Sequence, residues 1–141
     1  MPIHREVILI VDDEAAIREL TTEMLRHDGY RVLAAASGAI AIETVAQRHE
    51  PLDLLLTDIA MPHMAGPEVA VCIATLIPGI RVLYMSGHIR PALGAYHPSG
   101  DISPLVAKPF SESTLLRAVR TTLDLPLNCQ PVSGADSGSG W

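Results

Sequence analysis

The chain has 141 residues, 48% apolar and 18% charged, which suits one folded domain with a real core and excludes an intrinsically disordered chain. A formal net charge of −6 without any Lys/Arg cluster argues against direct nucleic-acid binding, and 4% aromatics leave few platforms for stacked bases. No run approaches the roughly 18 apolar residues of a membrane span, and MPIHREV leads straight into a short strand, so no membrane insertion and a cytoplasmic location are expected.

VILIV at 7–11 reads as a buried strand. Residues 14–28 place Ile17, Leu20, Met24 and Asp28 three and four apart, with Leu25 broadening the apolar stripe; this predicts an amphipathic helix that Gly29 stops. RVLAA at 31–35 is a second strand, expected at an edge because it is short and starts with a charge. Ser37 can cap a helix over 38–49 that turns Ile42, Val45 and Ala46 inward. A third strand is predicted over 52–57, followed by the loop DIAMPHMAGPE and a helix over 67–76 with Pro67 in its first turn. Cys72 in this helix reads as a small core residue, and its distance from Cys129 suits neither a zinc site nor a disulfide framework.

Pro78 and Gly79 break the chain before IRVLYM at 80–85, the fourth strand. Residues 87–103 hold three glycines and two prolines, so only a short fourth helix is expected there. PLVA at 104–107 is the fifth strand. Ser111 then caps a helix striped by Leu115, Leu116, Val119 and Leu123, which Pro126 ends. The remaining LNCQPVSGADSGSGW has no apolar periodicity, giving a domain over 1–124 and a disordered tail or linker over 125–141.

Alternating strands and helices predict an α/β fold with a doubly wound parallel sheet. In such sheets ligands gather at the carboxyl ends of the strands. Asp12 and Asp13, Asp58, Ser86 and Lys108 each stand where an apolar strand stops, so they can share one crevice. Taken singly, each has an ordinary role as a turn residue, a helix cap or a surface lysine. Together, carboxylates on neighbouring strands repel, and a cation such as Mg²⁺, which prefers oxygen ligands, relieves that repulsion.

VDDE at 11–14, TDIAMPHMAG at 57–66, MSG at 85–87 and KPF at 108–110 resemble the response-regulator receiver domain of bacterial two-component signalling, over roughly residues 5–124. The resemblance implies a flavodoxin-like fold with five parallel strands in the order 2-1-3-4-5 and helices on both faces. It implies that Asp58 accepts phosphate from a histidine kinase or phosphotransfer domain. Asp13, Asp58 and the backbone carbonyl of Ala60 would ligate Mg²⁺, with Asp12 acting through a bound water. Ser86 would hydrogen-bond the phosphoryl group, Lys108 would neutralise it, and the Lys108–Pro109 bond would be cis. An output protein is implied without being identified, and a phosphorylation-linked homodimer is left open.

The chain also departs from the family. Leu105 stands where many receivers carry an aromatic switch residue, and neither Tyr84 nor Tyr96 matches that position. Ala60 and His88 occupy places that influence phosphate lifetime in the family. The short 87–103 region followed by KPF most resembles receivers attached to hybrid histidine kinases. The competing reading is a magnesium-dependent phosphohydrolase of the haloacid-dehalogenase type, which also uses aspartate, Ser/Thr and lysine. That chemistry wants a DxD arrangement after the first strand, whereas Asp12-Asp13 is followed by Glu14 and Ala15.

Overall fold

A strand covered on both faces loses the alternation of apolar and polar residues that a half-exposed strand keeps. VILIV and LLLTD are buried at every position, which marks them as interior strands. The computed structural model describes residues 5–48, 51–87 and 104–125. Its strands are β1 (Val7–Val11), β2 (Arg31–Ala35), β3 (Leu54–Asp58), β4 (Arg81–Ser86) and β5 (Leu105–Ala107). Its helices are α1 (Ala15–His27), α2 (Gly38–Gln47), α3 (Gly66–Leu76) and α4 (Glu112–Leu123). The strands form one parallel sheet in the order β2-β1-β3-β4-β5, the expected doubly wound arrangement.

Successive residues of a strand face opposite sides, so the sheet divides its apolar residues between two layers. Ile8, Ile10, Leu54, Leu56, Leu83, Met85 and Val106 meet Leu25 of α1 and Leu115, Val119 and Leu123 of α4. Leu9, Val11, Leu55, Val82 and Tyr84 meet Ala41 and Val45 of α2 and Val69, Ala70 and Ile73 of α3. Helices therefore cover both faces, and among the described residues β2 and β5 form the edges.

The helices start largely where capping chemistry predicts. Ser37 accepts the Ile40 N–H at 3.2 Å and Ser111 accepts the Thr114 N–H at 3.1 Å. α3 begins one residue before Pro67, where the Glu68 carboxylate accepts the Ala65 N–H at 2.9 Å. Gly29 ends α1 at φ 101°, a conformation that favours glycine.

Four local expectations change. Leu20 is 48% exposed, while Thr21 takes the buried place beside Leu25, its hydroxyl satisfied by the Ile17 carbonyl at 2.7 Å. In α2, Ala41 is buried instead of Ala46, because the helix leans on α3; a side chain on Gly38 would lie 2.7 Å from both Met64 and Val69. The third strand is displaced to 54–58, since Asp53 spends its carboxylate on the Val7 N–H while Asp58 pairs in register with Met85. Cys72 is half-buried. The expected short fourth helix with His88 and Tyr96, and the tail with Cys129, lie outside the described residues apart from Gly87 and Leu125.

Away from the strand ends, Arg120 joins α4 to the start of β1 through Glu6 at 2.9 Å and to Tyr30 at 3.2 Å. Arg81 at the start of β4 donates twice to the Leu125 carbonyl, at 2.7 and 3.0 Å. These contacts fix the last helix and the residue after it against the sheet.

Candidate functional site

Register places the polar residues together. Val11 pairs with Thr57, Asp58 with Met85, and Ser86 with Ala107, so Asp12, Asp58, Ser86 and Lys108 emerge at the same end of adjacent strands. Asp12 is fully buried directly after β1. One of its carboxylate oxygens accepts the Glu14 N–H at 2.9 Å, and the other accepts from Lys108 Nζ at 2.9 Å. Its carbonyl accepts from Arg18 at 2.8 Å, which ties the turn to α1.

Asp58, at the end of β3, is 7% exposed, with Oδ2 3.5 Å from Lys108 Nζ. Asp13 is exposed, yet Asp12, Asp13 and Asp58 each offer an oxygen within 4.8 Å of the others. Glu14 Oε1 lies 3.6 Å from the same ammonium. Ser86 is half-buried at the end of β4, and its carbonyl accepts the Lys108 N–H at 2.8 Å. Ala60 lies exposed in the turn beyond β3, and the Lys108–Pro109 bond is cis.

The loop after Asp58 is braced by backbone. Ile59 N–H donates to the Met85 carbonyl at 3.0 Å, and Gly66 N–H returns to the Ile59 carbonyl at 2.8 Å. A Cβ on Gly66 would collide with the Asp58 carbonyl oxygen, so only glycine allows this approach. Tyr84 pairs with Thr57 on one side and Leu105 on the other, and Leu105 packs on the α2/α3 layer. The Tyr84 hydroxyl is buried without a hydrogen-bond partner among the described residues.

The charges are unbalanced, with four carboxylates near one ammonium. Burial pushes the Asp58 carboxyl up to about 6; Lys108 opposes this, while Asp12 and Asp13 reinforce it. Burial works against the Lys108 ammonium, but the hydrogen bond to Asp12 and the charges of Asp58, Asp12 and Glu14 outweigh it and raise its pKa. Three carboxylates with only oxygen donors, one of them open to solvent, suit a hard divalent cation that keeps part of its water.

Of the sequence-predicted residues, Asp12 and Asp58 meet Lys108, Asp13 brings a carboxylate oxygen within 4.8 Å of both acids, Ser86 lies in register beside them, and Ala60 follows in the adjoining turn. Glu14, Arg18 and Gly66 were not singled out from sequence for this site. Glu14 stands in the VDDE motif itself, and Arg18 lies one helical turn beyond it; these spacings were the available signals.

The doubly wound sheet thus gathers an acid cluster and a lysine at the carboxyl ends of its strands, where open α/β sheets bind their ligands. The chain belongs to the response regulator receiver domain family, whose model matches residues 8–120. It is 34% identical over 125 residues to sporulation initiation phosphotransferase F of Bacillus subtilis, covering 87% of this chain and 98% of that protein. It is 31% identical over 117 residues to the sensor kinase CckA of Brucella abortus, covering 83% of this chain but only 12% of the kinase. Among solved structures it is similar to the chemotaxis protein CheY4 of Vibrio cholerae, with a TM-score of 0.74, 26% identity, and coverage of 84% of this chain and 99% of that one. The chain is thus a receiver domain of two-component signal transduction, and no helix among its described residues is long and apolar enough to cross a membrane.

Proposed function

We propose that this receiver is a cytoplasmic phosphorelay switch in which Asp58 accepts phosphate from a histidine kinase or phosphotransfer domain. The observation that carries the reading is the meeting of a buried aspartate with an ammonium at 3.5 Å inside a cluster of carboxylates. A carboxylate oxygen of Asp58 attacks phosphorus, and an O–P bond forms as the donor's bond to phosphorus breaks. The breaking bond's electron pair leaves with the donor, and Asp58 becomes an acyl phosphate. Two anions must approach one another, so charge screening and alignment dominate the barrier.

Asp13, Asp58 and the Ala60 carbonyl would hold Mg²⁺ directly, with Asp12 reaching it through water. Once bound, the ion would screen the approaching anions and orient the donor. Lys108 stands ready to compensate charge arriving at Asp58, and its backbone tie to Ser86 couples the two strand ends. Ser86 would supply a hydroxyl to the phosphoryl oxygens. The signal is then about two negative charges placed at one point, biasing a protein-interaction surface toward a second state.

On this reading the chain catalyses its own phosphorylation and dephosphorylation and has no separate substrate. Its partners are the phosphate donor and an output protein, and phosphate-linked homodimerisation is one form the output could take. The low coverage of the sensor kinase is compatible with the receiver serving within a longer hybrid protein. The test is incubation with acetyl phosphate and Mg²⁺ followed by intact-mass measurement. One phosphate is expected on the wild type and none on Asp58→Asn. Labelling that persists in the variant would reassign the acceptor, and continuous turnover of a phosphate ester would favour the phosphohydrolase.

A further inference from the structure

Lys108 Nζ faces three carboxylates rather than two: Asp12 at 2.9 Å, Asp58 at 3.5 Å and Glu14 at 3.6 Å. An ammonium has three N–H donors; one is hydrogen-bonded to Asp12, and the Asp58 and Glu14 carboxylates stand at ion-pair distance around the rest. We propose that Glu14 is a positioning residue, the exchangeable counter-anion that holds Lys108 in the resting state and must yield when a phosphoryl group reaches Asp58. The proposal deepens the phosphoacceptor reading and rests on it.

The three acids differ in how readily they can release the ammonium. Asp12 is fully buried, so losing Lys108 would leave an uncompensated charge away from water. Asp58 is the reacting group itself. The Glu14 side chain is 63% exposed, so water can replace the ammonium there at small cost. Its separation is also the longest of the three.

Among the described residues, no capping task competes for the Glu14 carboxylate. Glu14 occupies the N-cap position of α1 with extended backbone, yet its side chain makes no capping hydrogen bond. Its own N–H is taken by Asp12. The carboxylate is left beside Lys108 by the turn that presents Asp12 and Asp13. There it adds negative charge where an anionic donor must approach, so it opposes phosphorylation twice, by engaging the lysine and by repelling the incoming group.

Glu14→Gln keeps the size and exposure of the side chain and removes the charge. At saturating Mg²⁺ and low ionic strength, the variant should react with acetyl phosphate about three- to tenfold faster and bind beryllofluoride more tightly by a similar factor. That range is about 0.7–1.4 kcal/mol, roughly the Coulomb energy of two unit charges about 4 Å apart under bulk-water screening, as suits an exposed carboxylate. The gain should shrink toward unity near 1 M salt. Without phosphate or metal, the ¹⁵N resonance of the Lys108 ammonium should shift in the variant, a readout that a purely structural cap would not move.

Unchanged rates and affinities at low salt would overturn the proposal. A slower reaction together with weaker binding of Mg²⁺ alone would also overturn it, placing Glu14 among the metal's supports instead. A wild type that takes up neither phosphate nor beryllofluoride would sink the Asp58 reading first, an outcome distinct from a phosphorylated wild type that Glu14→Gln merely matches.

Discussion

Asp58→Asn should make the metal-free protein more stable, although it removes the proposed reacting group. Burial raises the Asp58 carboxyl from an ordinary value of 3.8 to about 6. That gap corresponds to about 3 kcal/mol of cost for holding the carboxylate ionised in the folded state. As pH rises from about 4 to about 6, the unfolded chain has released this proton while the folded protein still binds it. Stability therefore declines across that window and levels off above it. Asparagine keeps the shape without the charge, and Asp12 remains to pair Lys108 at 2.9 Å. In EDTA at pH 8 the variant should gain about 1–3 kcal/mol, or roughly 4–12 °C in Tm for a domain of this size. At pH 4.5 the difference should fall to about a third of its value at pH 8, and near pH 3 it should nearly vanish. Adding Mg²⁺ should stabilise the wild type more than the variant, by about 2.7 kcal/mol at a hundredfold excess over Kd. Calorimetry across pH with and without metal measures all three effects. A variant equally or less stable than wild type at pH 8 in EDTA, or a gain independent of pH, would refute the reasoning.

Lys108→Ala strands the buried Asp12 carboxylate and should cost about 3 kcal/mol in denaturant unfolding. It should leave Mg²⁺ affinity nearly unchanged while weakening the link between phosphorylation and partner binding, as read by titration of a phosphorylated variant. Gly66→Ala drives a methyl group into the Asp58 carbonyl and should destabilise by about 2–3 kcal/mol, visible as a lower Tm and slower labelling by acetyl phosphate. Tyr84→Phe deletes a buried hydroxyl that lacks a partner among the described residues and should be neutral or stabilising by about 1 kcal/mol in the same unfolding assay.

The strands and their polar ends were legible because burial on both faces leaves a distinctive mark, an apolar run that stops abruptly at Asp12, Asp58, Ser86 or Lys108. Helix phase was less legible. Thr21 hides its hydroxyl within its own helix and can replace Leu20 at the interface, while Ala41 and Ala46 are chemically identical and only the approach of α3 distinguishes them. The distribution of ion pairs around Lys108 was not legible at all. An exposed glutamate at a helix start looks the same in sequence whether it faces solvent or an ammonium contributed 94 positions later, and only sheet register brings the two together.

The brace between Asp58 and Gly66 makes the surroundings of this aspartate mechanically lopsided. On the α3 side, the Gly66–Ile59 backbone hydrogen bond and an unyielding carbonyl contact leave no slack. On the other side, β5 is only three residues long, with Leu105 and Ala107 incompletely covered. Strain arising at Asp58 would be channelled toward that thinner flank, and surface substitutions along β5 should alter signalling more readily than equivalent changes on α3.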